Sequence, residues 1–181
     1  MTTVAWILLS YQLPREPSRL RLAAWRRLRR LGTVLMHDAN WILPLDAKTR
    51  EAFEWLAEEI EEQGGTALVW TVRSLSPAQD EALVARFREE ADDRYREIAA
   101  SARAIHRAAG RARRPRDSTR VQHALRQLAG LERALRLERR RDYFGARGRA
   151  AAEMVVRTAI EDVAARLGST TIAGGRHVVG H

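Results

Sequence analysis

The sequence predicts an α+β protein in which a ferredoxin-like βαββαβ domain (residues 1–74) precedes a long α-helical extension (residues 75–168). Three observations lead to this prediction. Short apolar runs alternate with segments of helical periodicity over the first part of the chain. Glycine or proline separates most of these segments. From Ser76 onward only helical periodicity remains, until a run of small and polar residues at 169–181 that predicts a flexible tail.

Four apolar runs predict the strands of the first domain, and two amphipathic segments predict its helices. The strands are expected at residues 4–9, 33–36, 40–43 and 66–72, and the helices at 18–31 and 46–63. The order strand, helix, strand, strand, helix, strand is that of the split βαβ arrangement. Its helices cover one face of the sheet. We therefore expect Trp41 and Trp70 on the open face to be covered by a second copy, as a homodimer, or by the C-terminal helices.

Three helices are predicted in the extension. Ser76 and Pro77 form a start signal for the first, which continues to about Ala109. A basic loop that contains a proline follows, and Ser118 can cap the second helix. The third is expected from Arg149 to Leu167.

Composition excludes several classes of function. The chain has no Cys, which excludes disulfides, thiolate metal sites and cysteine catalysis. It has no apolar run of about 20 residues and no secretory leader, so we expect a cytoplasmic protein without a membrane span. Phosphate-binding loops, dinucleotide fingerprints and hydrolase motifs are missing, and we therefore expect no enzyme activity and no cofactor.

Two weak metal sites remain possible on the sequence alone. Asp38 and Asp46 could hold Mg²⁺, although a hairpin turn and a helix cap explain them more simply. His106 and His123 flank the basic loop and could approach each other, but two histidines without cysteine make a poor zinc site.

Positive charge is concentrated in three stretches, of which residues 126–149 hold eight Arg against three acidic residues. The chain has 32 basic and 23 acidic residues, a net charge of +9, and all its basic residues except Lys48 are Arg. Residues 15–30 hold seven Arg against one Glu, and residues 103–120 hold seven Arg against one Asp. Residues 46–62 are acidic instead. Segregated arginines are typical of phosphate-backbone recognition, because guanidinium groups pair with phosphate oxygens.

Nucleic acid is therefore the expected partner. The alternative is that these faces are solvated and neutralised by Arg–Glu pairs between helices. The expected DNA-contacting residues, taken from residues 15–30 and 103–120, are Arg26, Arg27, Arg29, Arg30, Arg111, Arg113, Arg114 and Arg116.

Three stretches carry a resemblance to a known family. They are Trp6–Pro44, which includes YQLP and WILP, then EEQGGTALVW at Glu61–Trp70, and FREEADDRYREI at Phe87–Ile98. Together they resemble the N-terminal domain of ChrB, the chromate-resistance regulatory protein. The resemblance implies a cytoplasmic transcriptional regulator that binds promoter DNA and responds to chromate. The alternative within the same system is an accessory protein that binds an oxyanion or a protein partner rather than DNA.

The N-terminal plan is also similar to the ferredoxin-like domain of PaaX-type repressors and of the small CRISPR-adaptation subunit. In that subunit the first strand ends in Tyr-Asp, and the Asp is a candidate metal ligand. The matching pair here is Tyr11-Gln12. A neutral amide does not supply the charge that Mg²⁺ prefers, so this likeness does not predict a nuclease.

Overall fold

A computed structural model describes residues 4–110 and 118–174, with side chains described through Arg166. The described residues form a four-stranded sheet and five helices. The elements are β1 (Ala5–Gln12), α1 (Ser18–Leu31), β2 (Val34–Leu35), β3 (Asn40–Pro44), α2 (Ala47–Glu62), β4 (Thr66–Arg73), α3 (Pro77–Gly110), α4 (Ser118–Arg141) and α5 (Arg149–Gly174). The predicted α+β class, a ferredoxin-like order followed by a helical extension, is confirmed.

The chain divides into two compact units. The first comprises the described residues up to Glu89 together with residues 141–144, and the second comprises residues 90–140 and the described residues from 145 onward. The sequence places the first boundary at residue 74. The difference arises because the first turns of α3 pack with the sheet: Phe87 stacks on Trp6 with ring centroids 5.7 Å apart. At the other end, α5 extends past the expected limit of 168 to Gly174.

The sheet of the first unit has the strand order β2-β3-β1-β4, with every neighbouring pair antiparallel. On one face Ile7 pairs with Leu43 and Leu9 pairs with Trp41, and all four are buried. Helices α1 and α2 cover this face, since their buried residues belong to the same apolar cluster. Those helix residues are Ala24, Leu28, Phe53, Leu56 and Ile60.

The expectation that Trp41 lies on the open face is wrong. Trp41 is opposite Leu9 on β1, and this register places it on the helix-covered face, where it is 5% exposed. Trp70 does lie on the open face, because it is opposite Leu8, and it is 50% exposed. The open face is thus only partly covered in the first unit.

Local sequence signals account for the ends of α1, α2 and the short hairpin. Asp46 caps α2: its side chain accepts a 2.7 Å hydrogen bond from the Thr49 amide, and the Thr49 hydroxyl accepts a bond from the Asp46 amide. Gly32 ends α1 with φ +75°, a conformation that favours glycine. Asp38 lies in the turn between β2 and β3. Turn and cap thus explain the two carboxylates that were candidates for Mg²⁺.

The second unit is a helical assembly around its own apolar cluster, with Tyr95, Leu128 and Val163 among its buried residues. Helices α4 and α5 begin at Ser118 and Arg149, as predicted. Helix α5 buries Ala152, Val156, Ala159 and Val163, whereas Met154 is exposed.

Candidate nucleic-acid interface

Helix α1 carries the densest unbalanced charge in the first unit. Between Ser18 and Leu31 it has six Arg and no acidic residue. Ala24 and Leu28 are buried against the sheet, and Leu20 and Leu31 pack beside them. Because a helix turns by about 100° per residue, this apolar stripe leaves the opposite side to the arginines. The predicted amphipathic pattern of α1 is confirmed.

Three of the four predicted α1 contacts lie on the exposed side. The side chains of Arg26, Arg29 and Arg30 are exposed, and so is that of Arg19, about two turns nearer the N-terminus. Arg27 differs, because it faces α2 and forms an ion pair with Glu59. Its helical position, closer to the buried stripe, explains the difference.

Most of these guanidinium groups are not neutralised. Within the described residues, Arg19, Arg21, Arg26 and Arg30 have no carboxylate within ion-pair distance, which is 4.0 Å. In the second unit an acidic side chain pairs with each of Arg94, Arg96, Arg136, Arg139 and Arg149. Other described arginines of that unit, such as Arg103, Arg126 and Arg157, have no such partner among the described residues. The pairing that the sequence left open as an alternative therefore accounts for part of the second unit and for Arg27, but not for those four arginines of α1.

The other four predicted contacts, Arg111, Arg113, Arg114 and Arg116, lie outside the described residues. The surface described below is therefore that of α1 and its neighbours in the first unit.

The C-terminal end of α1 receives two partners from residues 141–144. The Arg141 guanidinium donates a 2.8 Å hydrogen bond to the Arg29 carbonyl, and the Tyr143 hydroxyl donates a 2.8 Å bond to the Leu31 carbonyl. Both carbonyls belong to the last turn of α1, which has no further helical amides to bond them, although the Arg29 carbonyl also accepts a 3.3 Å bond from the Gly32 amide. Arg141 also places positive charge at the negative end of the helix dipole. Sequence reasoning missed both residues, since no local signal links positions 112 apart.

The surroundings of Tyr143 shift its ionisation. Burial raises the pKa of its hydroxyl to about 12, the negative charge of Asp46 adds to this effect, and Arg141 opposes it. The hydroxyl therefore stays protonated and continues to donate to α1 at any ordinary pH.

Two large apolar side chains also lie on the exposed side of α1. Leu22 is 45% exposed and Trp25 is 47% exposed, and both are surrounded in sequence by arginines. Both residues are out of phase with the buried stripe formed by Leu20, Ala24 and Leu28. The helical periodicity of the sequence therefore already indicated that they would be exposed. Apolar groups within a charged surface are typical of interaction sites.

Neighbouring helix α2 has the opposite charge. It has six Glu against Lys48 and Arg50, and its Glu side chains are exposed except for Glu59, which is half-buried. The helix layer of the first unit therefore presents a basic helix beside an acidic one. The described residues contain no cluster of three or more His, Asp or Glu that could hold a metal ion. None of the described helices combines the length and apolar character of a membrane span.

Comparison with known families identifies the chain. The family model described as "Protein ChrB, N-terminal" matches residues 21–169. The chain belongs to the ChrB N-terminal family. No curated protein and no solved structure matches it.

Membership in the ChrB N-terminal family confirms the resemblance seen in the sequence and associates the chain with chromate resistance. The matched residues include most of α1, all of the sheet after β1, helices α2, α3 and α4, and α5 up to residue 169. The comparisons do not show the similarity to PaaX-type repressors.

Proposed function

We propose that this protein is a cytoplasmic transcriptional regulator of chromate resistance, that it binds promoter DNA through α1, and that chromate alters this binding. The observation that carries the proposal is the exposed position of Arg19, Arg26 and Arg30 on α1, none of which has a carboxylate within ion-pair distance among the described residues. The proposal assigns no reaction to the protein: binding, rather than catalysis, is its activity.

The size of the α1 surface suits a DNA duplex. A helix of 14 residues is about 21 Å long at 1.5 Å per residue. Over that length duplex DNA carries about 12 phosphate charges, at one per 1.7 Å of axis. Four guanidinium groups on phosphates would give a log–log salt slope of about −3.6. Affinity would then fall about 150-fold between 50 and 200 mM salt.

Anisotropy of a labelled duplex from the promoter upstream of the gene tests this part of the proposal. We expect the wild-type protein to show the steep salt dependence, and the R26A/R30A variant to lose about two units of slope. Arg27→Ala is the matched control, because Arg27 lies on the same helix but is paired with Glu59. It should leave the slope nearly unchanged. A salt-independent affinity would contradict phosphate contacts.

Chromate is a dianion of sulfate-like shape, and guanidinium groups bind such oxyanions with two parallel hydrogen bonds. Family membership and the arginine-rich α1 surface support an effect of chromate on DNA binding. The test compares chromate with sulfate at constant ionic strength in the same anisotropy assay. If both anions act equally, the specific response to chromate is wrong. Chromate binding by a protein that does not bind DNA would instead support the accessory role.

A homodimer paired through the open face of the sheet is also part of the proposal. Leu68 and Trp70 lie on that face, 58% and 50% exposed, and α1 lies on the other side of the sheet. This mode of pairing leaves α1 free in both copies. Replacing Trp70 by Ser should weaken the dimer in sedimentation experiments at high salt, where apolar contacts persist and ionic ones are screened.

A further inference from the structure

The helix layer of the first unit presents two surfaces that are complementary to each other. The exposed side of α1 is basic and contains Trp25. The exposed side of α2 is acidic and contains Trp55, which is 60% exposed. The charged residues involved are Arg19, Arg26, Arg29 and Arg30 on α1, and Glu51, Glu54, Glu58, Glu61 and Glu62 on α2.

Ion pairs within the chain neutralise only some of these charged residues. Arg27 and Glu59 form the ion pair that joins the two helices. Glu54 is paired locally with Arg50 of its own helix. Within the described residues, Glu51, Glu58, Glu61 and Glu62 have no cation within ion-pair distance, as is also true of Arg26 and Arg30.

The two exposed indoles add an apolar component. Isolated apolar side chains are ordinary on protein surfaces, but here each helix has a half-exposed Trp within a surface of one sign. Ion pairs alone would give a weak, short-lived complex between two copies. Burial of Trp25, Leu22 and Trp55 would provide the non-polar centre that stable interfaces have.

We propose that two copies of this chain pair helix layer to helix layer, with α1 of each copy lying against α2 of the other. A two-fold contact uses the same patch on both subunits, so every α1–α2 contact occurs twice. The alternative two-fold arrangement would place α1 against α1 and α2 against α2. Like charges would then face each other, which disfavours that arrangement.

This pairing regulates the proposed DNA surface, and in that respect it rests on the proposed function. In this pairing the acidic side of α2 from the second copy forms ion pairs with the α1 arginines that would otherwise bind phosphates. Self-association through the helices and DNA binding therefore exclude each other. The sheet-face dimer does not have this effect, because it leaves α1 exposed.

Sedimentation velocity of the full chain without DNA tests the pairing, with two charge-reversed variants, R26E/R30E and E58R/E62R. We expect the wild-type protein to associate at 50 mM salt and to lose at least tenfold in affinity at 500 mM, because ionic contacts are screened. Each variant alone should associate at least tenfold more weakly. An equimolar mixture should associate again as a heterodimer, since each reversed helix then meets its opposite charge.

Two controls separate this interface from others. The Trp70→Ser variant, on the sheet face, should retain the salt-sensitive association. Thermal unfolding should show that the charge-reversed variants, altered only at exposed positions, remain folded. A wild-type protein that stays monomeric at 50 mM salt, or a mixture that does not form the heterodimer, would overturn the inference.

The DNA experiment distinguishes the two proposals. The E58R/E62R variant leaves α1 unchanged but removes acidic side chains of α2 that would compete with DNA for α1. It should therefore bind DNA more tightly than the wild-type protein. If no form binds DNA while the mixture still restores association, the proposed function is wrong and the pairing stands. If DNA binds but the mixture does not associate, only the pairing is wrong.

Discussion

Trp6 and Asp80 form a buried hydrogen bond across 74 positions of sequence. The indole Nε1 of Trp6 donates to the Asp80 carboxylate at 2.7 Å, and the Val4 amide donates to the other oxygen at 3.2 Å. Trp6 is fully buried and stacks on Phe87. Asp80 thus ties the first turn of α3 to β1 and satisfies an indole N–H that would otherwise be buried without a partner.

Asp80→Asn should reduce the loss of stability in acid. Hydrogen bonds from Ser74 and Trp6 hold the pKa of Asp80 below its ordinary value of 3.8. A carboxyl whose pKa is lowered on folding contributes stability above its unfolded pKa, and this contribution disappears as the pH falls through the folded pKa. Urea unfolding between pH 2 and 6 should show that part of the acid slope is lost in the variant. Asp38→Asn, in the exposed turn, is the control, and an equal change there would contradict this role for Asp80.

Glu138→Leu should be strongly destabilising, and the double variant R94L/E138L much less so. Arg94 Nε donates to Glu138 at 2.7 Å, and the Glu138 side chain is fully buried. Removing one member of a buried pair costs up to about 3–5 kcal/mol, and less where the remaining charge keeps a second partner, as Arg94 keeps Glu90 at 3.3 Å. Replacing both members with apolar residues is often nearly neutral. Urea unfolding of the two variants measures this. Equal losses in both would show that the pair itself, rather than the orphaned charge, dominates.

Tyr143 should make the first unit less stable at high pH. Its pKa is raised from 10.0 to about 12, so the unfolded chain releases the phenolic proton first as the pH rises. The free energy of unfolding should therefore fall between about pH 10 and pH 12, by about 1–2 kcal/mol after allowing for partial solvation of the hydroxyl. Tyr143→Phe should lose this dependence and about 1 kcal/mol at neutral pH, because the bond to Leu31 is gone. An unchanged alkaline slope would contradict it.

Gly32→Ala should cost more than Gly64→Ala. Both glycines have positive φ, +75° and +78°, so an alanine is strained at either position by about 1 kcal/mol. At Gly32 a new Cβ would also lie 2.7 Å from the Arg141 Cβ, whereas nothing lies within 4 Å at Gly64. We expect about 1–2 kcal/mol more destabilisation at Gly32, measured by urea unfolding. Equal effects would show that the 141–144 segment moves away freely.

Much of the secondary structure was predictable because its signals are local. Asp46 with Thr49 starts α2, Gly32 ends α1, and the three-to-four spacing of Leu20, Ala24 and Leu28 marks the buried side of α1. Each signal acts within a few residues and depends little on the rest of the chain. The arginine-rich exposed side of α1 follows from the same periodicity.

Sequence by itself determined the α+β order, the ends of most elements and the charge of each helix, because caps, turns and periodicity act over short distances. Only the tertiary structure decided that Trp41 is buried while Trp70 is exposed, since strand register sets which face each side chain takes. It also paired Arg27 with Glu59 and brought Arg141 to the end of α1. Such contacts join residues far apart in the chain, and the packing of the whole unit selects them.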